Sequence, residues 1–332
     1  MNRAGLTSRL RRPFLLLPLA VTGAVLATAA PAAATFPGSP GPIVYSRSSS
    51  SESGSTGGLF AHGPRQSQKP HQLTSEPGDS TPSFSADGRM IVFSGDRNPP
   101  PLSSGSHIYA MNADGTGVRQ VTEGGGYDSN PSFSPNGSQI VFDRVVGSGR
   151  PRIFIVDLDG SGLQALTDGS TSASEPVFTP NGRRIVYVGS GDSDARTDRS
   201  DIFAMAPDGA NQRVLIDGIR NETEPDVSPS GRMIAFVSNR NHGPNVFVAR
   251  SNGTKVRAVT HSRRDCFSSA CYLSPAWSPD GGHLAYLREG RYSSELVVSR
   301  LDGSHGKEFD EGGTEEEGFG SHVGAPTWGA VP

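Results

Sequence analysis

The chain has 332 residues, 42 of them glycine and 26 proline, and its 30 basic and 33 acidic residues give a formal net charge of −3. Residues 1–34 contain four arginines and no acidic residue, so the remaining chain has 26 basic residues against 33 acidic ones, a net charge of −7. An acidic chain is poorly suited to the phosphate backbone of nucleic acids. The composition therefore predicts no nucleic-acid partner.

The N-terminal segment predicts export. Basic residues come first, an apolar run covers residues 14–30, and alanines follow at 32–34, which is the order of a signal peptide. The pair Arg11 and Arg12 resembles a twin-arginine signal, so that route and general secretion both stay open. An uncleaved anchor is a third alternative, although the apolar run is short for a membrane span and contains Pro18.

A Pro-x-aromatic motif, with valine as the last residue of one copy, recurs about every 49 residues. Its prolines are Pro82, Pro131, Pro176, Pro225, Pro275 and Pro326. A self-similar period of roughly 40 to 50 residues with several short strands per unit is typical of propeller blades. Each such blade buries its hydrophobic faces against its neighbours.

Each repeat contains four short strands in a fixed order. The first ends at the motif's last residue and the second has an aromatic residue nine positions later, as in Phe133 and Phe142. The turn between them, residues 134–137 in this copy, has proline and glycine where a tight hairpin needs them. A third strand at 153–156, an Asp-Gly turn and a fourth strand with Leu166 follow. The pattern predicts an all-β fold, a β-propeller of four-stranded antiparallel blades.

The first blade is expected to combine both ends of the chain. Strands at 43–45, 59–62 and 71–73 lack a Pro-x-aromatic strand before them, and residues 326–328 supply one at the far end. This arrangement closes a ring of six blades and leaves no free sheet edge at the seam. The predicted segments are a signal peptide at 1–34, a short linker at 35–42 and one propeller domain at 43–332.

Variation in length falls on one face of the ring. The first-to-second and third-to-fourth connections keep their lengths, whereas the other two connections vary, and an up-and-down strand order places those two on the same face. We call this the loop face. Two long connections flank the last blade, and loops on a rigid scaffold often carry function. We expect a binding surface there, with simple solvated loops as the alternative; its candidate residues are Arg263, Arg264, Glu315, Glu316, Glu317 and His322.

Cys266 and Cys271 are the only cysteines of the chain and lie five positions apart in one of these long connections. Two thiols alone supply too few ligands for a structural zinc site, and the oxidising compartment of an exported chain permits a bridge. We therefore predict a local disulfide that fastens the loop.

The residue before each repeat proline should lie at the mouth of the central channel on the loop face. These residues are Thr81, Asn130, Glu175, Glu224, Ser274 and Ala325, and the first five are our candidate binding residues. The carboxylates of Glu175 and Glu224 lie on adjacent blades, where they could bind a divalent cation or share a proton. A hydrogen-bonded structural role at the start of the strand is the interpretation we favour.

The repeat resembles that of the TolB propeller family. The resemblance rests on Glu224-Pro225, Ser228 to Gly231, Ile234 to Phe236, Asn252-Gly253 and Val259-Thr260, and equivalent residues cover about 43–329. It implies a six-bladed exported propeller that works through protein contacts in the cell envelope. TolB itself has an additional α/β domain before the propeller, which we do not expect here. Prolyl-oligopeptidase-like peptidases have similar repeats but keep their nucleophile on a separate domain.

Two classes of function stay open. The first is a noncatalytic, monomeric exported scaffold without a resident cofactor, located in the cell envelope, in the periplasm or outside the cell, that binds a protein or an envelope component through its loop face. The chain has no G-x-S-x-G, zinc-helix or phosphate-loop motif, which favours this class. The second is a glycan hydrolase or lyase that uses the channel-mouth carboxylates Glu175 and Glu224 as acid and base.

Overall fold

A computed structural model describes residues 38–51, 54–63, 68–97, 105–190, 199–218, 220–241, 243–262, 271–290, 294–311 and 321–331. These residues form six antiparallel sheets, which are the blades of a six-bladed propeller. The fold class predicted from the repeat is therefore confirmed. The predicted signal peptide lies outside the described residues.

Five blades have four strands each and follow one another along the chain. Blade 2 contains β4 (Ser80–Phe84), β5 (Met90–Gly95), β6 (His107–Asn112) and β7 (Arg119–Gln120). Blade 3 contains β8 (Tyr127–Phe133), β9 (Gln139–Val145), β10 (Arg152–Asp157) and β11 (Gln164–Ala165). Blade 4 contains β12 (Ala173–Phe178), β13 (Ile185–Ser190), β14 (Ser200–Met205) and β15 (Arg213–Ile216). Blade 5 contains β16 (Glu222–Val227), β17 (Met233–Ser238), β18 (Asn245–Arg250) and β19 (Arg257–Ala258), and blade 6 contains β20 (Cys271–Trp277), β21 (His283–Glu289), β22 (Ser294–Arg300) and β23 (Lys307–Glu311).

Blade 1 joins the two ends of the propeller. It contains β1 (Pro40–Ser51), β2 (Gly54–His62) and β3 (His71–Gln72), and β1 pairs on its other side with β24 (Ser321–Val323) and β25 (Thr327–Ala330). Ile43 lies opposite Trp328, whose indole N–H donates to the carbonyl of Gly41 at 3.1 Å. The predicted closure by the C-terminal strand is confirmed, and β24 extends the closure further than the sequence indicated.

The first hairpin of blades 2 to 6 has the predicted tight turn. In blade 3 the N–H of Gly137 donates to the carbonyl of Ser134 at 2.8 Å, and Gly137 has a φ of +71°. A side chain at that φ would be strained, so glycine suits the position. The side chain of Asn136 accepts a hydrogen bond from the hydroxyl of Ser134 at 2.7 Å, which further stabilises the loop.

The hydrophobic core is divided among the six interfaces between neighbouring blades. One cluster combines Val44 and Leu59 of blade 1 with Phe84 and Phe93 of blade 2, and equivalent clusters fill the other five interfaces. Burial of one such large side chain contributes about 1.5–3 kcal/mol. Since each cluster needs residues from two blades, no blade completes its core alone.

The seam gives a direct test of closure. Trp328 is 8% exposed and packs in the cluster between blades 6 and 1. Replacement of Trp328 by alanine should lower the free energy of unfolding by about 3–5 kcal/mol, because it removes a buried aromatic ring and leaves a cavity. Urea unfolding followed by intrinsic fluorescence and circular dichroism would measure this change.

Val331 provides the control for the seam variant. It lies three positions later and is 55% exposed, so Val331→Ala should leave the unfolding free energy nearly unchanged. An effect of Trp328→Ala as small as that of Val331→Ala would contradict a seam held by β25.

Candidate functional site

A central cavity of about 360 Å³ lies inside the ring and is lined by the innermost strands of all six blades. A first ring of lining residues consists of the six residues that precede the repeat prolines. The prolines line the cavity next, and the six residues that directly follow the prolines form a second ring. The second ring consists of Ser83, Ser132, Val177, Asp226, Ala276 and Thr327. The predicted channel-mouth residues therefore share one cavity, and their role in binding stays a prediction.

In blades 2 to 6 the innermost strand is interrupted at its proline by a β-bulge. In blade 4 the pairing with β13 shifts register between Ser174 and Val177, and the same shift occurs in blades 2, 3, 5 and 6. The residue before the proline has a left-handed backbone in these five blades, with φ of +47° at Thr81, +52° at Asn130, +53° at Glu175, +52° at Glu224 and +50° at Ser274. Such a conformation costs a non-glycine residue about 1–2 kcal/mol. Local strain of this kind is often kept at functional sites.

Hydrogen bonds between blades hold three of these bulges in place. The carboxylate of Asp143 accepts the backbone N–H of Glu175 at 2.9 Å, and the carboxylate of Glu175 accepts the backbone N–H of Glu224 at 2.6 Å. The carboxylate of Glu224 in turn accepts the backbone N–H of Ser274. Three successive interfaces, from blade 3 to blade 6, are therefore linked by a carboxylate of one blade and an N–H of the next. We call Asp143, Glu175 and Glu224 the inner carboxylates.

Burial raises the pKa of the three inner carboxylates and of Asp226. It raises the pKa of Glu175 to about 7, and the nearby charges of Glu224 and Asp143 act in the same direction. Burial also raises the pKa of Glu224 and of Asp143, against the hydrogen bonds that each accepts. Burial raises the pKa of Asp226 to about 7, although Asp226 accepts the backbone N–H of Trp277 at 2.8 Å. The cavity wall is thus able to take up protons near neutral pH.

Charge is distributed unevenly around the cavity. Glu175, Glu224 and Asp226 line the side formed by blades 4 and 5, whereas small and hydroxyl side chains such as Ser83 and Thr327 line blades 1 and 2. The described residues that line the cavity include no lysine, arginine or histidine. A cationic group would therefore find carboxylates without competing basic side chains.

Two acidic residues of this region were missed by sequence reasoning. Asp143 receives hydrogen bonds from the side chains of Ser129 and Asn130 at 3.0 and 2.9 Å in addition to that from Glu175. Asp226 lies directly after the repeat proline, where other copies have serine, valine, alanine or threonine. Alignment of the repeats would have shown both as charged residues at positions that are neutral in the other blades.

Most of the predicted loop-face residues cannot be placed. Arg263, Arg264, Cys266 and the acidic run at 315–317 lie outside the described residues, so their role stays a prediction. His322 lies in β24 opposite Ser48 and is exposed. Cys271 is the first residue of β20 and is fully buried.

The described residues do not support a metal centre of several ligands. Within those ranges no group of three or more His, Cys, Asp and Glu side chains is arranged to hold a metal ion. The carboxylates of Glu175 and Glu224 face backbone N–H donors of the next blade. A divalent cation in the channel stays a prediction, with these two carboxylates as its ligands.

Comparison with known proteins agrees with the geometry. The TolB beta propeller domain matches residues 64–197 and 192–319. The chain belongs to the TolB β-propeller family. TolB from Acinetobacter baumannii has a TM-score of 0.68 and 19% identity, over 88% of this chain and 67% of that one.

Two further solved structures have the same fold. A putative TolB from Agrobacterium tumefaciens has a TM-score of 0.62 and 17% identity, over 89% of this chain and all of that one. A chain from a nidogen/laminin complex has a TM-score of 0.60 and 12% identity, over 87% of this TolB-family chain and 98% of that one. No protein of curated function matches the sequence. At these identities the likeness shows the fold alone.

The pKa of Glu175 predicts how stability depends on pH. Its folded-state value of about 7 lies above the ordinary 4.5, so the protonated group stabilises the fold fully below pH 4.5, and this contribution is lost as pH rises to about 7. Glu175→Gln keeps an acceptor for the N–H of Glu224 but does not ionise. The variant should therefore gain up to about 3 kcal/mol of unfolding free energy relative to the native chain between pH 4.5 and pH 8.

Urea unfolding of both proteins at the two pH values would measure this difference. Glu222 and Asp226 also have raised pKa values of about 7, and Glu224 and Asp143 have raised ones, but these groups are present in both proteins. Their contribution largely cancels in the comparison. A difference in stability that stays constant with pH would show that the pKa of Glu175 is not raised in the folded protein.

Proposed function

We propose that this propeller is an exported, noncatalytic binding protein that holds a protein or cell-envelope component at the mouth of its channel. The partner would present a cationic group, such as an amine or a basic side chain. The observation that carries this proposal is the acidic wall formed by Glu175, Glu224 and Asp226, with no basic side chain among the described residues that line the cavity. A cationic group there would replace protons and reduce the mutual repulsion of the carboxylates.

The hydrogen bonding of the inner carboxylates supports binding over catalysis. Glu175 and Glu224 each accept a backbone N–H from the next blade, so each already has a structural use at the bulge. Rigidly held acceptors suit the recognition of a ligand, because little order is lost when it binds. This is the structural role that the sequence analysis favoured for both residues.

The proposal also includes export of the protein and further contacts of the partner with the loop face. The order of basic, apolar and small residues in 1–34 supports export. In the described part of the chain, no helix has the length and apolar character needed to cross a membrane. The variable connections would surround the channel mouth and give the partner further contacts, and the chain would act as a monomer.

An enzyme acting on glycans is the second candidate. The observation in its favour is the pKa of Glu175 at about 7, a value that suits a general acid near neutral pH. Activity on a panel of polysaccharides, lost in both Glu175→Gln and Glu224→Gln, would support it.

The binding proposal predicts loss of a partner when the acidic wall is neutralised. The mature protein should capture a partner from envelope and culture-supernatant extracts, and the double variant Glu175→Gln with Glu224→Gln should capture at least about tenfold less, since two charges near a cationic group are removed. Quantitative mass spectrometry of the captured material would measure the ratio. Both substitutions keep the acceptors that the neighbouring N–H groups need.

Glu76→Gln with Glu123→Gln is the matched control, because it removes the same charge from two exposed residues away from the channel. Equal capture by both double variants would contradict recognition at the channel mouth. A partner lost only when the connections at 263–270 and 312–320 are shortened would move the site to the loops.

The cysteine pair gives a separate prediction. We propose that Cys266 and Cys271 form a disulfide in the exported protein, as their spacing and the buried position of Cys271 support. Neither cysteine should react with an alkylating reagent when the protein is unfolded without reduction, and both should react once the disulfide has been reduced. Mass spectrometry would count the labels, and labelling of both without reduction would contradict the bridge.

A further inference from the structure

Basic side chains are concentrated on the face opposite the loop face, at the short turns of blades 4 and 5. Two adjoining surface depressions of about 320 and 670 Å³ share Ser251 in their walls. The basic residues that line them are Arg183, Arg184, Arg232, Arg250, Lys255 and Arg257. We call this surface the basic groove. All six side chains are exposed.

The fold holds the basic groove in a fixed arrangement. Arg250 lies opposite Met233 in the sheet, and the N–H of Ser251 donates to the carbonyl of Arg232 at 2.9 Å, so Arg232 and Arg250 lie on neighbouring strand ends. The guanidinium of Arg257 donates to the carbonyl of Leu301 in blade 6 at 2.7 Å. These contacts place several cations side by side on rigid backbone.

Nothing in the described walls neutralises these cations. No acidic residue is among the described residues that line the two depressions. The arginines that form ion pairs in the described ranges are others, namely Arg97, Arg144, Arg240 and Arg288. The carboxylates of Asp208 and Asp302, in the turns of the adjacent blades, accept the backbone N–H groups of Ala210 and Ser304.

The repeat itself shows that the fold does not require this charge. Four positions of the blade are occupied by Arg232, Arg250, Lys255 and Arg257 in blade 5. The corresponding residues of blade 3 are Ser138, Asp157, Gly162 and Gln164. Only in blade 5 are all four of these residues lysine or arginine. A chain with an overall negative charge has thus accumulated positive charge at one place.

Lys255 has a left-handed backbone, with a φ of +60°. The same repeat position has Gly117 and Gly162 in blades 2 and 3, with φ of +68° and +69°, and Asn211 and His305 in blades 4 and 6, with φ of +58° and +57°. Glycine adopts this conformation without strain, but lysine does so at a cost of about 1–2 kcal/mol. Glycine can therefore replace Lys255 without a change of the backbone, which separates the charge of this residue from its structural role.

We propose that the basic groove binds a linear phosphate polymer. Guanidinium groups pair with phosphate in a bidentate manner, and a row of them suits repeated phosphates. The described lining residues include no Phe, Tyr, Trp or His, so the groove lacks the stacking surfaces with which proteins bind nucleic-acid bases. Its concave walls fit a chain better than the plane of a membrane. The site is independent of the channel and of the function proposed for it.

The test uses fluorescently labelled inorganic polyphosphate and the whole mature protein. Arg232→Glu with Arg257→Glu should reduce the affinity for polyphosphate at least about tenfold, and binding by the native chain should weaken as salt rises. Arg89→Glu with Arg119→Glu is the matched control, because these residues occupy the same two repeat positions in blade 2. Arg119 also donates to a carbonyl of the next blade, that of Leu158 at 2.9 Å. The control should leave the affinity nearly unchanged.

Lys255→Gly separates binding from folding. It should keep or raise the unfolding free energy, since the strain at φ of +60° is relieved, and it should still lower the affinity for polyphosphate about threefold or more. The proposal would be overturned if Lys255→Gly left the affinity for polyphosphate unchanged and the double variants of blade 5 and blade 2 lost the same amount of affinity. Binding to vesicles of anionic lipid but not to polyphosphate would also overturn it, as would equal competition by orthophosphate and polyphosphate at the same phosphate concentration.

Discussion

The structure depends on one constraint, which is that the hydrophobic faces of each blade are buried only by its neighbours. Each of the six core clusters combines side chains from two adjacent blades, including the cluster between blade 6 and blade 1. An open ring would leave two hydrophobic sheet faces and two edges in water. Closure by β25, with Trp328 packed against blade 6, is therefore a condition for the stability of the ring.

The repeat proline connects this scaffold to the channel. Proline has no N–H and interrupts a sheet ladder, so it fits where the innermost strand is bulged. The right-handed helical region is disfavoured for the residue before it, and in five blades this residue adopts the left-handed one. Its backbone N–H can then face the neighbouring blade, where an inner carboxylate accepts it in three interfaces. One sequence motif thus produces the ring of channel residues and two of the three acceptors, Glu175 and Glu224, whereas the third, Asp143, lies in the second strand of blade 3.

Much of this architecture could be predicted from the sequence, because the same pattern of strands and turns recurs in every repeat. Six copies of the motif and a nine-residue spacing were sufficient to predict the blades, the closure and the residues at the channel mouth. The left-handed bulge was not predictable in this way, since a proline preceded by a polar residue is also compatible with an extended strand. The partners of Glu175 and Glu224 depend on contacts between repeats, which spacing within one repeat does not reveal. The basic groove could not be predicted from the net charge, because the net charge is a sum over the whole chain and does not show how charge is distributed over the surface.

The two charged surfaces lie toward opposite faces of the ring. Glu175 and Glu224 are the third residues of innermost strands of six residues each, and the basic groove lies at the turns beyond the ends of these strands. The three residues from each of these glutamates to the end of its strand span about 10 Å, and charges exposed to physiological salt are screened within about 8 Å. The two surfaces would therefore interact weakly, and a ligand at one of them would have little effect on the affinity at the other. If both proposals hold, the propeller can join a cationic partner on one face to a phosphate polymer on the other without any change in its own conformation.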